Sequence, residues 1–437
     1  MEREFMKQLL LWKNNPRRKP LIIKGARQVG KTWLMKEFGR QYYQKVAYVN
    51  FDNNSRMKQV FAQDFDLSRI LLAINAETGV RVTPKDTLLI FDEVQEAPMA
   101  ISSLKYFCEN APEYHVIAAG SQLGTAIHQG VSFPVGKVNT LHLYPLSFFE
   151  FLKACGEDGL AGLLKQKDPI LLSSFHDRFV TCLKNYYFVG GMPEVVSVFA
   201  EQQDFTAVRR LQQELLEMYE ADFGKHIPEK DLMRVRMIWN AIPMQLAKEN
   251  KKFFFGQVKK GGRAKEFELG TQWLLDCGLI SKVNRVTKPA IPLKAYQEQN
   301  VYKLFFLDIG LLSASSGLDA KALLEGSRVF TEFKGALTEQ YVCQQLLSDT
   351  PYQPYYFTSE NGRYEIDFMI QQGDEPMPLE VKAEQNVHAK SLRAYYDKYQ
   401  PSKTIRLSMN DYRLQDWVEN IPLFAIHAFL HEGGIFL

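Results

Sequence analysis

Gly25-Ala26-Arg27-Gln28-Val29-Gly30-Lys31-Thr32 is the stretch that decides the fold. Its spacing is GxxxxGK[ST], a glycine-framed loop whose backbone N–H groups wrap around phosphate oxygens. Pro20–Lys24, just before it, is a short apolar run that reads as a buried strand. Thr32–Phe38, just after it, has helical periodicity. Strand, loop and helix start are the context this motif requires. The loop N–H groups and the positive end of the helix dipole bind phosphate. Lys31 reaches the β- and γ-phosphates and the Thr32 hydroxyl can ligate Mg²⁺. ATP and Mg²⁺ are therefore the expected ligands, held by Gly25, Ala26, Arg27, Gln28, Val29, Gly30, Lys31 and Thr32.

A partner motif lies downstream, Leu88-Leu89-Ile90-Phe91-Asp92-Glu93. Four apolar residues form a strand with two acids at its C-terminal end, the edge where open α/β sheets bind ligands. Asp92 is placed to hold the Mg²⁺ shell. Glu93 is placed to take a proton from attacking water. Asp-Glu after a strand is by itself an ordinary turn; the loop at Lys31 changes its meaning.

The 437 residues suggest two to four domains at about 150 residues each. A hydrophobic content of 46% suffices for packed cores. The 53 basic and 50 acidic residues leave a net charge of +3, so any case for nucleic acid must be local. Cys108, Cys155, Cys182, Cys277 and Cys343 show neither CxxC nor metal spacing, which predicts reduced thiols. Met1–Lys7 has no signal-peptide core, and no apolar run is long enough to span a bilayer. These features predict a soluble cytoplasmic protein without membrane contact.

Residues 1–150 alternate strands with helices, the pattern of a parallel sheet covered on both faces. Strands are expected at Pro20–Lys24, Lys45–Phe51, Thr87–Asp92, Tyr114–Gly120 and Lys137–Leu143. The fourth ends in Gly120-Ser121-Gln122. Ser121, or alternatively Gln122, is placed to sense the γ-phosphate; a plain Gly-Ser turn is an equal reading.

GARQVGKTWL, LLIFDEVQ, VIAAGSQ, LHLYPLSFFEF and YYFVGGMPEVV occur in this order. The chain so resembles the bacterial and archaeal AAA-like ATPases that carry a C-terminal domain of unknown function, predicted ATPases of the AAA+ superfamily. The resemblance covers nearly the whole chain, and the YPLSFFEF and GGMPEVV segments discriminate it. Relatives usually have Gly-Arg before the fifth strand, where this chain has Gly136-Lys137. A lysine lacks the bidentate guanidinium fork, so a finger role is in doubt here.

Residues 151–250 read as a helical lid, with 3.6-residue periodicity over Ile170–Val189, Phe205–Phe223 and Asp231–Glu249. Residues 251–325 have a winged-helix outline: a helix over Glu266–Cys277, then strands Leu279–Val286 and Tyr302–Asp308. Lys251, Lys252, Lys259, Lys260, Arg263 and Lys265 form a stretch without an acid, with Phe253–Phe255 interleaved. Such a patch can contact DNA phosphates. The other reading, a solvated loop over buried phenylalanines, is slightly favoured.

Residues 326–437 carry a third constellation. Glu339 intrudes on the apolar helical stripe of Ala336, Cys343 and Leu346. Glu365 and Asp367 share one face of a period-two strand, and Glu380 and Lys382 one face of the next. This arrangement resembles the PD-(D/E)xK nuclease core, in which the acids ligate Mg²⁺ and the lysine assists water. Glu339, Asp367, Glu380 and Lys382 are thus the candidates for a second metal site, with Glu365 and Glu384 as neighbours. A half-exposed sheet with polar residues on its solvent face gives the same alternation.

The expected fold is α/β: a P-loop core, a helical lid, a winged-helix-like module and a restriction-endonuclease-like domain. The expected function is Mg²⁺-dependent ATP hydrolysis that switches the appended domains, on DNA or on a protein partner that the sequence does not name. A nucleotide-gated nuclease, as in phage defence, and a STAND-type scaffold with negligible turnover are the alternatives.

Overall fold

Leu88, Leu89, Ile90 and Phe91 are fully buried at the centre of β3 (Thr87–Asp92). Burial on both faces calls for helices on both sides, which parallel strands with crossover helices supply. β3 lies in a five-stranded, all-parallel sheet with β1 (Leu21–Lys24), β2 (Lys45–Asn50), β4 (His115–Ala119) and β5 (Asn139–His142). The order is β2-β3-β4-β1-β5. Helix Lys31–Tyr42 follows β1, helices Ser55–Gln63 and Leu67–Thr78 follow β2, and helix Pro98–Asn110 follows β3. All five strands fall within two residues of the bounds read from sequence. Phe51, Phe61, Phe91 and Phe107 pack edge to face in one core, with centroids 5.3–6.0 Å apart.

The computed structural model describes residues 2–121, 133–227, 229–248, 251–321, 328–383 and 389–430. The chain divides into two compact units. One holds Arg3–Tyr144 and Asp276–Leu279; the other holds Pro145–Leu275 and the chain from Ile280.

The second unit begins with helices from Phe148 to Leu246, the longest being Phe205–His226 and Glu229–Leu246. A single helix was expected over Ile170–Val189. Instead Pro169–Ser174 and His176–Val189 are separate. The Ser174 hydroxyl bonds back to the Ile170 carbonyl at 2.8 Å, an interaction that competes with a helix's own ladder. Further on, β6 (Ile280–Val286) and β7 (Gln297–Phe306) form an antiparallel pair. They do not stand alone as the wing of a separate module. β6 also pairs in parallel with β8 (Tyr355–Thr358), and the pair forms one edge of an eight-stranded sheet. Its other strands are β9 (Glu365–Gln372), β10 (Glu375–Lys382), β11 (Ile405–Ser408), β12 (Arg413–Leu414) and β13 (Glu419–Pro422). The order is β12-β13-β11-β10-β9-β8-β6-β7.

The YPLSFFEF and GGMPEVV segments meet in this unit. Leu146 N donates to Gly191 O at 2.7 Å, and Tyr186 Oη donates to Leu146 O. Ser147 and Glu150 form a reciprocal capping box on helix Phe148–Ala154. Asp308, fully buried, accepts from Gly310 N and Leu311 N at one end and from Gly191 N and Gln344 Nε2 at the other. A Cβ on Gly190 would lie 2.0 Å from Asp308 Oδ1, and its φ of +76° is glycine territory. These discriminating segments build a buried polar frame.

Candidate functional site

β1 ends at Lys24 and helix Lys31–Tyr42 starts at Lys31. The loop between them needs its glycines. Gly25 has φ +152°, and a Cβ there would meet Leu143 O at 2.3 Å. Gly30 caps the helix at φ +91°. Lys31 is buried, and its ammonium donates to Gly25 O at 2.8 Å and Ala26 O at 2.6 Å. Burial pushes it down to about 8, against the pull of Glu93 and Asp92. Thr32 Oγ1 donates to Asp92 Oδ2 at 2.6 Å. The same oxygen accepts from Tyr48 Oη at 3.0 Å. The sequence reading missed Tyr48, which lies on β2 with the Lys36 ammonium 3.7 Å from its ring centroid.

Glu93 follows Asp92 in the left-handed region, at φ +51°. Its N–H donates to Asp92 Oδ1 at 3.1 Å, and Gln95 Nε2 donates to its carboxylate. Non-glycine residues held at such angles are strained and gather at functional sites. Ser121 is buried beyond the end of β4, and Arg27 Nε donates to its hydroxyl at 3.2 Å. Gln122 lies outside the described residues. A hydroxyl and a carboxylate 2.6 Å apart, beside a buried ammonium, suit Mg²⁺ and phosphate. Thr32 and Asp92 would hold the ion.

Lys137 sits elsewhere. It precedes β5, so in a parallel sheet it lies at the edge opposite the loop that follows β1. Its ammonium pairs with Glu109 Oε1 at 2.8 Å. It is no finger for the P-loop of its own chain.

The carboxylates of the second constellation lie in the second unit. Glu339 is on helix Arg328–Asp349, Asp367 on β9, and Glu380 and Lys382 on β10. Asp367 Oδ2 accepts from Val381 N at 2.7 Å. Burial, then Glu339 and Glu380, push the Asp367 carboxyl well above its usual range. Lys382 Nζ lies 2.6 Å from Glu380 Oε1. Two further lysines enter. Lys251 pairs with Glu339 Oε1, and Lys303 lies 3.6 Å from Glu339 Oε2 and 2.7 Å from Glu365 Oε1. Burial would lower Lys303, but Glu339, Glu365 and Asp367 outweigh it and hold the ammonium above its ordinary range. Among the described residues, no group of three His, Cys, Asp or Glu side chains is arranged to hold a metal ion. Glu339, Asp367 and Glu380, expected to share an Mg²⁺, lie close enough for the first and last to raise the Asp367 carboxyl. Glu384 lies outside the described residues.

The basic stretch divides in two. Lys251 is engaged by Glu339, while Phe253 is buried with its N–H on Tyr302 O. Phe255 stacks on Phe267 at 5.3 Å. Lys259, Lys260, Arg263 and Lys265 are exposed.

The P-loop, the acids at the end of β3 and the β2-β3-β4-β1-β5 order define an AAA-like P-loop ATPase core. Residues 17–152 match the family model of the AAA domain. Residues 181–322 and 334–426 match two domains of unknown function, DUF8612 and DUF4143. Among solved structures, the Walker-type ATPase PABY2304 of Pyrococcus abyssi is 14% identical, covering 71% of this chain and 94% of its own, with TM-score 0.46. ORC1 of Aeropyrum pernix, solved in complex with DNA, is 12% identical over 72% and 90%, with TM-score 0.31. The Thermotoga maritima RuvB branch migration motor is 13% identical over 65% and 90%, with TM-score 0.30. The comparison with curated proteins returned no match. Among the described residues, no helix is long and apolar enough to cross a membrane.

Proposed function

We propose that the chain binds ATP with Mg²⁺ at Gly25–Thr32 and hydrolyses it, and that turnover switches the second unit between states on DNA. The observation that carries this reading is the Lys31 ammonium, buried beside Asp92 and, among the described residues, hydrogen-bonded only to the carbonyls of Gly25 and Ala26. Such a cation is available to phosphate. Bound Mg²⁺ supplies charge neutralisation at the β- and γ-phosphates. Glu93, fixed by Gln95, takes the proton of the water that attacks the γ-phosphorus. The bond to the bridging oxygen then breaks, releasing ADP and phosphate. Ser121 senses the γ-phosphate through its hydroxyl. Exposed Lys259, Lys260, Arg263 and Lys265 offer a surface to nucleic-acid phosphates.

The test is steady-state ATPase rate with and without DNA, alongside nucleotide binding. Lys31→Ala is expected to lose ATP binding. Glu93→Gln is expected to bind ATP and hydrolyse it about 100-fold or more slowly, the size of a general-base contribution. Wild-type turnover in Glu93→Gln would overturn the base assignment. ATP binding without hydrolysis, with DNA present, would transfer the reading to a nucleotide-held scaffold.

A further inference from the structure

We infer that Lys251 and Lys303 take the place of the divalent cation in the Glu339–Asp367–Glu380 cluster, so that this nuclease-like site binds no Mg²⁺ or Mn²⁺. Both oxygens of Glu339, the acid from the helix, already face ammonium groups. Oε1 pairs with Lys251, and Oε2 lies 3.6 Å from Lys303. Lys303 is 1% exposed and bridges Glu339 to Glu365, whose Oε1 is 2.7 Å away. Glu380 Oε1 is held by Lys382 at 2.6 Å, and Asp367 Oδ2 by Val381 N at 2.7 Å.

Two observations point the other way. Among the described residues, Glu339 Oε2 and Glu380 Oε2 are buried without a hydrogen-bond donor, as unfilled metal ligands would be. Charge decides between the readings. Among the described residues, Glu339, Glu365, Asp367 and Glu380 face Lys251, Lys303 and Lys382, so these acids exceed these ammonium groups by a single charge. A divalent ion would overshoot that deficit; one proton on an acid closes it. Mg²⁺ also needs oxygens at about 2.0–2.1 Å, in space where the lysine amines already approach the same carboxylates. Lys303 comes from β7 and Lys251 from the start of the basic stretch, both outside the helix-strand-strand core. The cluster is an internal cross-link among these elements.

The test is Mn²⁺ titration of the full chain without nucleotide, read as the thermal midpoint and as quenching of the free Mn²⁺ electron-resonance signal. Wild type and Asp367→Asn are expected to respond alike, which cancels any ion held near Asp92. Lys303→Met is expected to gain one Mn²⁺ site and a rise in midpoint with Mn²⁺, both lost when Asp367→Asn is added. A Mn²⁺ response in wild type that Asp367→Asn abolishes would overturn the inference. So would a folded Lys303→Met that gains no site. Where Lys303→Met does not fold, Lys251→Ala at the half-buried end of the cluster takes its place with the same two outcomes.

Discussion

Lys31 and Lys303 are both buried ammonium groups close to acids, and they differ in their partners. Lys31 is held by two backbone carbonyls, and burial pushes it down to about 8. Lys303 faces Glu339 and Glu365, and their charges lift it above its ordinary range in spite of complete burial. A carbonyl dipole solvates an ammonium without neutralising it, so Lys31 keeps its charge for an incoming anion. A carboxylate neutralises the ammonium, so Lys303 is engaged within the fold. A buried lysine beside an acid is therefore solvated by carbonyl dipoles in one unit and paired with carboxylates in the other.

The contrast is broken most directly by removing each charge. Lys303→Met is expected to destabilise the chain by about 3–5 kcal/mol, because the buried Glu339 is left with less compensation, while the half-buried Glu365 can turn to solvent. Lys31→Met, in the nucleotide-free chain, is expected to unfold at the same or a higher urea concentration, because it removes a poorly compensated charge. Equal losses in urea melts of the two variants would erase the distinction.

Tyr48→Phe sharpens the picture of the P-loop site. It removes one of the two hydroxyls on Asp92 Oδ2. A hydrogen bond to a charged group contributes about 1.5–3 kcal/mol, and the urea midpoint should fall accordingly. An unchanged midpoint would show that Tyr48 adds nothing to the hold of Thr32 and the Glu93 N–H on Asp92.

pH separates the two lysines next. Lys31 has its folded value lowered from 10.5 to about 8, so the nucleotide-free fold binds fewer protons than the unfolded chain in that window. Stability of the nucleotide-free chain should therefore rise from about pH 8 to 10.5 through this group. ATP binding needs the protonated form. Its affinity should fall by about tenfold per pH unit above about 8, measured by calorimetry. A flat affinity between pH 8 and 10 would exclude Lys31 as the cation that meets phosphate.

The smallest effect concerns the exposed half of the basic stretch. Neutralising Lys259, Lys260 and Arg263 together should change stability by no more than about 0.5 kcal/mol, as for surface positions generally. The same variant should lower DNA affinity at low salt and flatten its salt dependence. Anisotropy curves that superimpose on wild type would leave these residues as a solvated surface.

The P-loop unit was legible because its chemistry is local in the chain. Eight consecutive residues build the loop, and the acids end the very strand that positions them. Period and apolar runs placed all five strands of its sheet. Less was legible in the second unit. Lys251 read as part of a solvent-facing basic run, yet it pairs with Glu339, 88 residues away. Lys303 left a trace in the sequence, a lone charge inside Val301-Tyr302-Lys303-Leu304-Phe305-Phe306. Such a residue must find an acid or stay uncharged, but nothing in the run says which acid. Tyr48 left no trace, because its role depends on β2 lying beside β3 in register.

By itself, the sequence determined a glycine-framed loop between a strand and a helix at Gly25–Thr32, acids at Asp92 and Glu93 behind the third strand, and a parallel α/β core. Short-range sterics and periodicity suffice for these. Only the tertiary structure decided that β6 and β7 extend the C-terminal sheet, and that Asp308 meets Gly191. It alone decided that two distant lysines fill the carboxylate cluster. Partner choice between far-apart segments is set by burial and charge compensation in three dimensions, and no local pattern encodes it.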